Sequence, residues 1–265
     1  MFVVDAHVHF HRTELVAPTL RAALGNFSNV TGGADGCAGA LLLAQGRAER
    51  VFEWLRGETR VEEWAFAPAG DEPQTLLATA PDGRWLAIVN GRQVRSACGL
   101  EVLAIGTCAE FEDGEGFEAM VERVARSDAL LVIPWGFGKW LGRRGAAVRA
   151  ALERLDRRTI CVGDNGGRLE WSREPRLMRE ARAKGFRVVP GSDPFPFGGD
   201  YRRVGRFGLC LDMSPPRVGL WRNIRTLLTG DSPPPRSYGR RVYPARFLFN
   251  NVAVQLVRRL KPGLS

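Results

Sequence analysis

The chain has 265 residues, 45% of them hydrophobic, and a formal net charge of +9, a size and composition that suffice for a large buried core. No apolar run approaches the roughly 20 residues of a membrane span, and the N-terminus starts a strand where a secretory signal would carry a basic segment and an apolar core. These features predict a cytoplasmic protein without a transmembrane segment. The five cysteines are scattered and form no Cys-x-x-Cys pair, which argues against a cysteine-type zinc or redox centre.

The positive charge does not favour nucleic acid as a partner. Only Lys139, Lys184 and Lys261 are lysines, so nearly all of the cationic side chains are arginines. They are spread along the chain, and no helix carries the aromatic-interleaved basic stripe that would follow a phosphate backbone. A small anionic or phosphorylated substrate remains compatible with this charge, whereas the sequence gives no indication of an oligomeric state.

In chain order, apolar strand-like runs alternate with amphipathic helical patterns, a rhythm typical of a parallel α/β barrel. The predicted strands are Phe2–His9, Ala38–Ala44, Val102–Gly106, Leu130–Pro134, Thr159–Gly163 and Arg187–Pro190. The predicted helices are Glu14–Leu24, Arg47–Arg56, Gly116–Arg126, Ala146–Asp156 and Pro175–Lys184.

Two stretches depart from this rhythm. Between residues 74 and 106, the turn signals Pro81-Asp82-Gly83 and Asn90-Gly91 flank apolar runs, which predicts an antiparallel β-meander inserted in the barrel. Residues 209–265 are interpreted as a C-terminal helical extension packed on the barrel, ending in an amphipathic, basic helix over Pro244–Leu260.

All three histidines of the chain lie at the end of the first predicted strand or just after it, as His7, His9 and His11. In an extended strand, residues two apart project from the same side, roughly 6.6 Å apart along the chain. This spacing suits two imidazoles that bind one metal ion, and the concentration of every histidine in one strand is hard to attribute to packing alone. We therefore interpret His7 and His9 as metal ligands.

Other polar residues lie at the carboxyl ends of the predicted strands, where the loops of a barrel converge over its mouth. Asp164 and Asp193 would supply oxygen ligands, a mixed donor set that suits Zn, Mn or Fe. Alternatively, both aspartates cap the helices that follow them. Glycines flanking Lys139 and Arg168 would let backbone N–H groups approach an anion, so these two cations are predicted to bind substrate.

Three motifs in this order resemble the polymerase and histidinol phosphatase (PHP) family. His7-Val8-His9 resembles the family's first strand, and Gly191-Ser192-Asp193 its late Gly-Ser-Asp, in which the aspartate binds metal. The stretch from Gly91 to Gly106 is similar to a family segment with Gly-x-Glu-Ile before an apolar strand. The resemblance covers roughly residues 1 to 195 and implies a distorted (β/α)7 TIM-like barrel, so that residues 1–265 form a single PHP-like domain.

The resemblance also implies phosphoester hydrolysis at a site with two or three metal ions, but several ligand positions of the family differ in this chain. The differing positions are Ala44-Gln45-Gly46, Gln93, Leu103, Pro134-Trp135 and Phe195. A single ion on His7, His9 and Asp193, joined by Asp164, Glu101 or His11, is the ligand set that remains. One ion with an open position is sufficient for hydrolysis.

The remaining polar residues at the mouth of the predicted barrel have roles in catalysis or substrate binding under this interpretation. Asp164 or Glu101 would be the general acid or base, and Lys139 or Arg168 would neutralise charge on the substrate. His11 and Gln93 are also predicted to contact the substrate.

Two alternatives stay open. Amidohydrolase barrels also begin with His-x-His, so amide or lactone hydrolysis is one of them. The other is a catalytically degenerate barrel that acts as a binding or scaffold protein, with Trp135, Trp140 and Trp171 on its recognition surface.

Overall fold

A computed structural model describes residues 1–33, 36–197 and 199–260. Its strands are β1 Phe2–Val8, β2 Cys37–Leu43, β3 Arg60–Val61, β4 Trp64–Ala69, β5 Glu72–Thr79, β6 Trp85–Val89, β7 Gly91–Arg95, β8 Glu101–Ile105, β9 Leu130–Pro134, β10 Ile160–Asn165, β11 Arg187–Gly191, β12 Phe207–Leu211 and β13 Arg236–Gly239. Its helices are α1 Val16–Thr31, α2 Val51–Gly57, α3 Phe117–Ala125, α4 Gly142–Arg154, α5 Arg176–Ala183, α6 Leu220–Thr229 and α7 Pro244–Leu260.

These strands form two sheets. The first has eight strands in the order β13-β12-β1-β2-β6-β5-β4-β3, and the second has five in the order β11-β10-β9-β8-β7. The pairs β1–β2, β2–β6, β9–β10 and β10–β11 are parallel, whereas β1–β12, β5–β6, β7–β8 and β8–β9 are antiparallel. The architecture is therefore a mixed α/β fold.

The predicted (β/α)7 TIM-like barrel is wrong. Among the described residues, the strands do not close into one ring, and an isolated bridge between Gln45 and Arg92 joins the two sheets. The predicted meander is not an insertion, because its strands belong to both sheets: β5 and β6 lie in the first, β7 and β8 in the second. Antiparallel pairing of β8 with β9 breaks the βα repeat on which a parallel barrel depends.

The two predicted turns of the meander have different outcomes. Pro81-Asp82-Gly83 does join the antiparallel strands β5 and β6, with Thr79 opposite Trp85. Asn90-Gly91 is not a hairpin turn, because β6 and β7 lie in different sheets. The Asn90 side chain is buried and donates to the Thr107 carbonyl over 2.9 Å, so it stabilises the crossing between the sheets.

Three apolar clusters pack between and around these sheets. The central cluster joins side chains of both sheets with Trp221 and Ile224 of α6. A second cluster packs α1 and α2 against the outer face of the eight-stranded sheet, and a third packs α3, α4 and α5 against the five-stranded sheet. Strands buried on both faces read as nearly continuous apolar runs, which is why β2 and β9 stand out in the sequence. The segment after residue 209 contains strand β13 as well as α6 and α7.

A buried carboxylate connects the first strand to distant parts of the chain. Asp5 accepts hydrogen bonds from the backbone N–H groups of Ser192 and Gly205, both over 2.8 Å, and a longer one from His7. Burial raises the pKa of Asp5 to about 6, although these hydrogen bonds act in the opposite direction. Asp5 thereby fixes the end of β1 against the residues that follow β11.

In the part of the chain that the structure describes, each helix is too short or too polar to cross a bilayer.

Candidate metal centre

A cavity of about 660 Å³ lies at the ends of strands from both sheets. Its wall includes residues at or just after β1, β7, β8, β9, β10 and β11, together with one residue of α7. The polar and charged lining residues are His7, His9, His11, Glu49, Gln93, Arg95, Cys98, Glu101, Lys139, Arg144, Asn165, Asp193 and Asn250.

His7, His9 and Asp193 bring three potential ligand atoms together in this cavity. The Nε2 atoms of His7 and His9 are 3.2 Å apart, and each lies 3.5 Å from Oδ1 of Asp193. Ligand atoms bound about 2.1 Å from a tetrahedral ion are separated by about 3.4 Å, so this donor set fits a divalent metal. The predicted ligands His7, His9 and Asp193 therefore meet the geometric requirement for a metal centre.

The backbone of Asp193 adopts an uncommon conformation that is held by its surroundings. Its φ angle is +45°, in the left-handed region, where strain is often found at functional residues. Its N–H donates to the His7 carbonyl over 2.8 Å, and Nδ2 of Asn165 donates to its carboxylate. A Cβ on Gly191, two residues before Asp193, would lie 2.3 Å from the backbone nitrogen of His7. Only glycine therefore lets the end of β11 approach β1 this closely.

Glu49 is a site residue that the sequence analysis did not identify. Its carboxylate contacts Nδ1 of His9 over 3.1 Å and Nδ1 of His11 over 2.6 Å, and it accepts the Gly46 N–H over 2.8 Å. A carboxylate on one ring nitrogen of a histidine leaves the other nitrogen available to a metal. Glu49 thus orients Nε2 of His9 toward His7 and Asp193.

The electrostatics of the site follow from burial and from these carboxylates. Burial lowers the pKa of His7 more than Asp193 raises it. For His9, burial acts in the same direction, but Glu49 and Asp193 outweigh it and raise the pKa to about 9. Burial disfavours the charged form of Asp193, yet His7 and His9 lower its pKa overall, and His9 and His11 do the same for Glu49. The imidazole of His7 is therefore neutral near pH 7, whereas that of His9 is protonated on both ring nitrogens and carries a positive charge.

We expect metal binding near pH 7.5 to release about one proton per ion, because His9 must lose its proton to become a ligand. Affinity should rise with pH and level off above about pH 9, the pKa of His9 without metal. Titration calorimetry with Zn²⁺ in buffers of different ionisation enthalpy measures this number. Glu49→Gln should reduce proton release, whereas the exposed Glu14→Gln should behave as wild type. Binding without proton release at pH 7.5 would contradict the assignment of His9.

The structure brings four further predicted residues to the same cavity. Lys139 Nζ lies 2.5 Å from Oε1 of Glu101, and both side chains are partly exposed to the cavity. Gln93 lines the cavity, and its side chain acts to raise the pKa of His7. His11 contacts the Pro194 carbonyl through Nε2 over 2.8 Å in addition to Glu49, so its ring is fixed on both sides.

Asp164 and Arg168 are not among the residues that line the cavity. They form a buried bidentate pair, with Arg168 Nε 3.0 Å from Oδ1 and Nη2 3.1 Å from Oδ2 of Asp164. Arg241 also contacts Asp164, and Arg168 Nη1 donates to Ser172. Both side chains thus have structural partners, and the structure separates them from the predicted metal ligands.

The three tryptophans of the predicted recognition surface have different environments. Trp135 lines the cavity, Trp140 is buried in the core, and Trp171 is 78% exposed.

The local sequence contained one signal for Glu49, which lies just after β2, where ligands of this site collect. The predicted helix began at Arg47 and included Glu49, but α2 begins at Val51 and leaves Glu49 in the preceding loop. Helix boundaries are poorly defined by sequence patterns, so this shift of four residues concealed the carboxylate.

No protein-family model matches the chain, and no curated protein is similar to it at a significant level. One solved structure, PsfC from Pseudomonas syringae PB-5123, aligns with a TM-score of 0.50 and 16% sequence identity, over 97% of this chain and 98% of PsfC. At this identity, the similarity concerns the fold alone.

Proposed function

We propose that this protein is a metal-dependent hydrolase that acts on a phosphoester. The proposal rests mainly on one observation, the convergence of His7 Nε2, His9 Nε2 and Asp193 Oδ1 within 3.5 Å of one another at the cavity. The resemblance of these residues to the PHP family supports the same reading, because His7-Val8-His9 and Gly191-Ser192-Asp193 meet at one place. A divalent ion bound there would supply a Lewis acid and lower the pKa of water in the site.

The side chains around the cluster have complementary roles in this proposal. Glu49 holds the His9 imidazole in position through a hydrogen bond to Nδ1, and Gln93 lies beside the cluster on the cavity wall. The carboxylate of Glu101 accepts a proton from water during attack on phosphorus. Lys139, paired with Glu101 at 2.5 Å, neutralises negative charge that develops on the phosphoryl oxygens.

The proposal is tested first by the metal content of protein purified without a histidine tag or chelator. We expect about one equivalent or more of Zn, Mn or Fe per chain, and metal-dependent hydrolysis of p-nitrophenyl phosphate. Removal of the ion with a chelator should abolish hydrolysis, and reloading should restore it. No bound metal, even after incubation with each ion, would contradict the proposal and favour a binding or scaffold protein.

We expect Glu101→Gln to lower kcat about 10²- to 10⁴-fold while metal content stays unchanged, because the variant removes a proton acceptor but no metal ligand. Steady-state kinetics with p-nitrophenyl phosphate, together with elemental analysis, measures both quantities. Glu112→Gln is the matched control, since its side chain is 72% exposed. An unchanged kcat in Glu101→Gln would exclude Glu101 as the general base.

A further inference from the structure

Two arginines, Arg95 and Arg144, lie on the cavity wall beyond the predicted metal ligands. Gln93 and Arg95 are two residues apart in β7, so their side chains leave the same face of the sheet roughly 7 Å apart along the strand. Gln93 and Arg95 both line the cavity that contains His7, His9 and Asp193. Arg95 therefore lies one strand repeat away from Gln93 on the wall of this cavity.

Arg144 of α4 approaches Arg95 across a glycine. A Cβ built on Gly99 would lie 3.9 Å from Nη1 of Arg144 and 4.0 Å from Nη2 of Arg95. Two guanidinium groups that converge on one point repel each other, because neither can lose its proton at physiological pH. An anion placed between them would remove this repulsion.

Within residues 1–33, 36–197 and 199–260, neither Arg95 nor Arg144 forms an ion pair with a carboxylate. Glu101 is the direct cross-strand neighbour of Arg95 but pairs with Lys139. Arg144 donates to the Gly138 carbonyl over 3.0 Å, which orients its side chain without neutralising its charge. These two cations are therefore available to a ligand.

The other large cavities of the described structure hold both paired and unpaired arginines. In one of these cavities, Arg157 and Arg158 both pair with Asp231. In another, Arg203 and Arg246 share Asp200. Among the described residues, however, Arg187 of the first and Arg206 of the second have no carboxylate partner, so the feature that distinguishes Arg95 and Arg144 is their convergence at Gly99.

A buried amide gives independent evidence that this cavity holds a polar ligand. Asn250 of α7 lines the cavity and is 2% exposed, and neither Nδ2 nor Oδ1 has a hydrogen-bond partner among the described residues. Buried polar groups in folded proteins nearly always have partners, so an orphaned donor and acceptor at a cavity wall indicate a ligand that pairs with them. Phe247, one turn earlier in α7, contacts Phe137 with ring centroids 5.3 Å apart, which holds the helix over the cavity.

We propose that the substrate carries two anionic groups, with the reacting phosphoryl group at His7, His9 and Asp193 and a second anion, a carboxylate or phosphate, at Arg95 and Arg144. This inference rests on the proposed function for the identity of the reacting group. The second anion binds through charge-assisted hydrogen bonds from the two guanidinium groups. Asn250 pairs with a polar group elsewhere on the same ligand.

Binding of matched ligands to the full-length protein tests this proposal by titration calorimetry. 3-Phosphoglycerate has a carboxylate where glycerol 3-phosphate has a hydroxymethyl group, and propane-1,3-diol bisphosphate supplies a second phosphate. We expect at least one of the two ligands with a second anionic group to bind about tenfold more tightly than glycerol 3-phosphate, which has only one. The tighter of the two identifies the second group as carboxylate or phosphate.

The double variant Arg95→Gln, Arg144→Gln should remove this preference. The control Arg126→Gln, Arg176→Gln loses the same charge from side chains that are both 79% exposed and should retain it. Equal affinity for all three ligands in the wild type would overturn the proposal, as would a preference that survives the double variant. Hydrolysis of p-nitrophenyl phosphate by a protein that does not prefer ligands with a second anionic group would refute the second subsite alone. A preference that depends on the two arginines, in a protein that binds no metal and hydrolyses no phosphoester, would refute only the catalytic proposal.

Cys98 offers a second readout that does not depend on activity. Its thiol lies on the same cavity wall. Burial raises the pKa of this thiol, but the hydrogen bond with Ser96, the nearby Arg144 and other contacts lower it by more, so the pKa lies below its ordinary value. We expect the tighter of the two ligands with a second anionic group to slow alkylation of Cys98 by iodoacetamide, measured by mass spectrometry, while exposed Cys108 reacts at an unchanged rate. Unprotected Cys98 at a saturating ligand concentration would place the ligand elsewhere and overturn the proposal.

Discussion

His7→Ala and Asp193→Ala are each expected to lower the affinity for Zn²⁺ or Mn²⁺ by about a hundredfold or more and to abolish metal-dependent hydrolysis. Each substitution removes one of three ligand atoms that lie within 3.5 Å of one another. Changes to residues that only orient a ligand typically cost 10- to 100-fold in affinity, so loss of a ligand itself should cost at least as much. Elemental analysis after dialysis and titration calorimetry measure the effect.

The fold must remain intact for this result to be informative, because His7 is buried. Circular dichroism and thermal unfolding of each variant report on the fold. The matched control is Asp212→Ala, since Asp212 is exposed and does not line the cavity. A double variant, His7→Ala with Asp193→Ala, that kept its full metal content would show that these residues are not the ligands.

Asp5→Ala is expected to lower the free energy of unfolding by about 3 kcal/mol or more. The substitution leaves the N–H groups of Ser192 and Gly205 buried without an acceptor, and each such orphaned donor costs about 1 to 3 kcal/mol. Asp5→Asn should be less destabilising, since one acceptor oxygen remains. Urea denaturation at pH 7 gives the midpoint and slope from which these values follow.

Asp128→Ala serves as the control for this series, because Asp128 is exposed. If Asp5→Ala does not fold, the intermediate variant Asp5→Asn still provides a measurable difference. A midpoint for Asp5→Asn equal to that of wild type, with the same slope, would mean that the carboxylate does not stabilise the junction between β1 and the residues after β11.

Local patterns were sufficient to locate many of the elements. The strands β1, β2, β8, β9, β10 and β11 and the helix α7 lie close to their predicted ranges. Apolar runs and helical periodicity depend on residues near one another in the chain, so they can be recognised without knowledge of the fold. Strands β3, β4, β12 and β13 and helix α6 were not predicted, and of these β3 and β13 are only two and four residues long.

Strand pairing was the part of the fold that these patterns could not determine. The rhythm of strands and helices favoured a closed parallel barrel, but β8 pairs antiparallel with β9, and the chain crosses between sheets at Asn90. The same dipeptide, Asn90-Gly91, fits a hairpin or a crossing. The outcome depends on long-range contacts, such as the bond from Gln45 Nε2 to Asn90 Oδ1.

At the candidate site, local patterns were enough to predict that His7 and His9 share one strand face and that Asp193 follows a strand end, because two-residue periodicity and strand boundaries are local properties. Only the tertiary structure placed Asp193 beside the histidines, added Glu49, and removed Asp164 and Arg168 from the cavity by pairing them with each other. Among the described residues, it also left Arg95 and Arg144 without a carboxylate partner, since Glu101 pairs with Lys139 and Arg144 donates to the Gly138 carbonyl. Whether a charged side chain is paired or available depends on residues far away in the chain, and only folding brings those residues into contact.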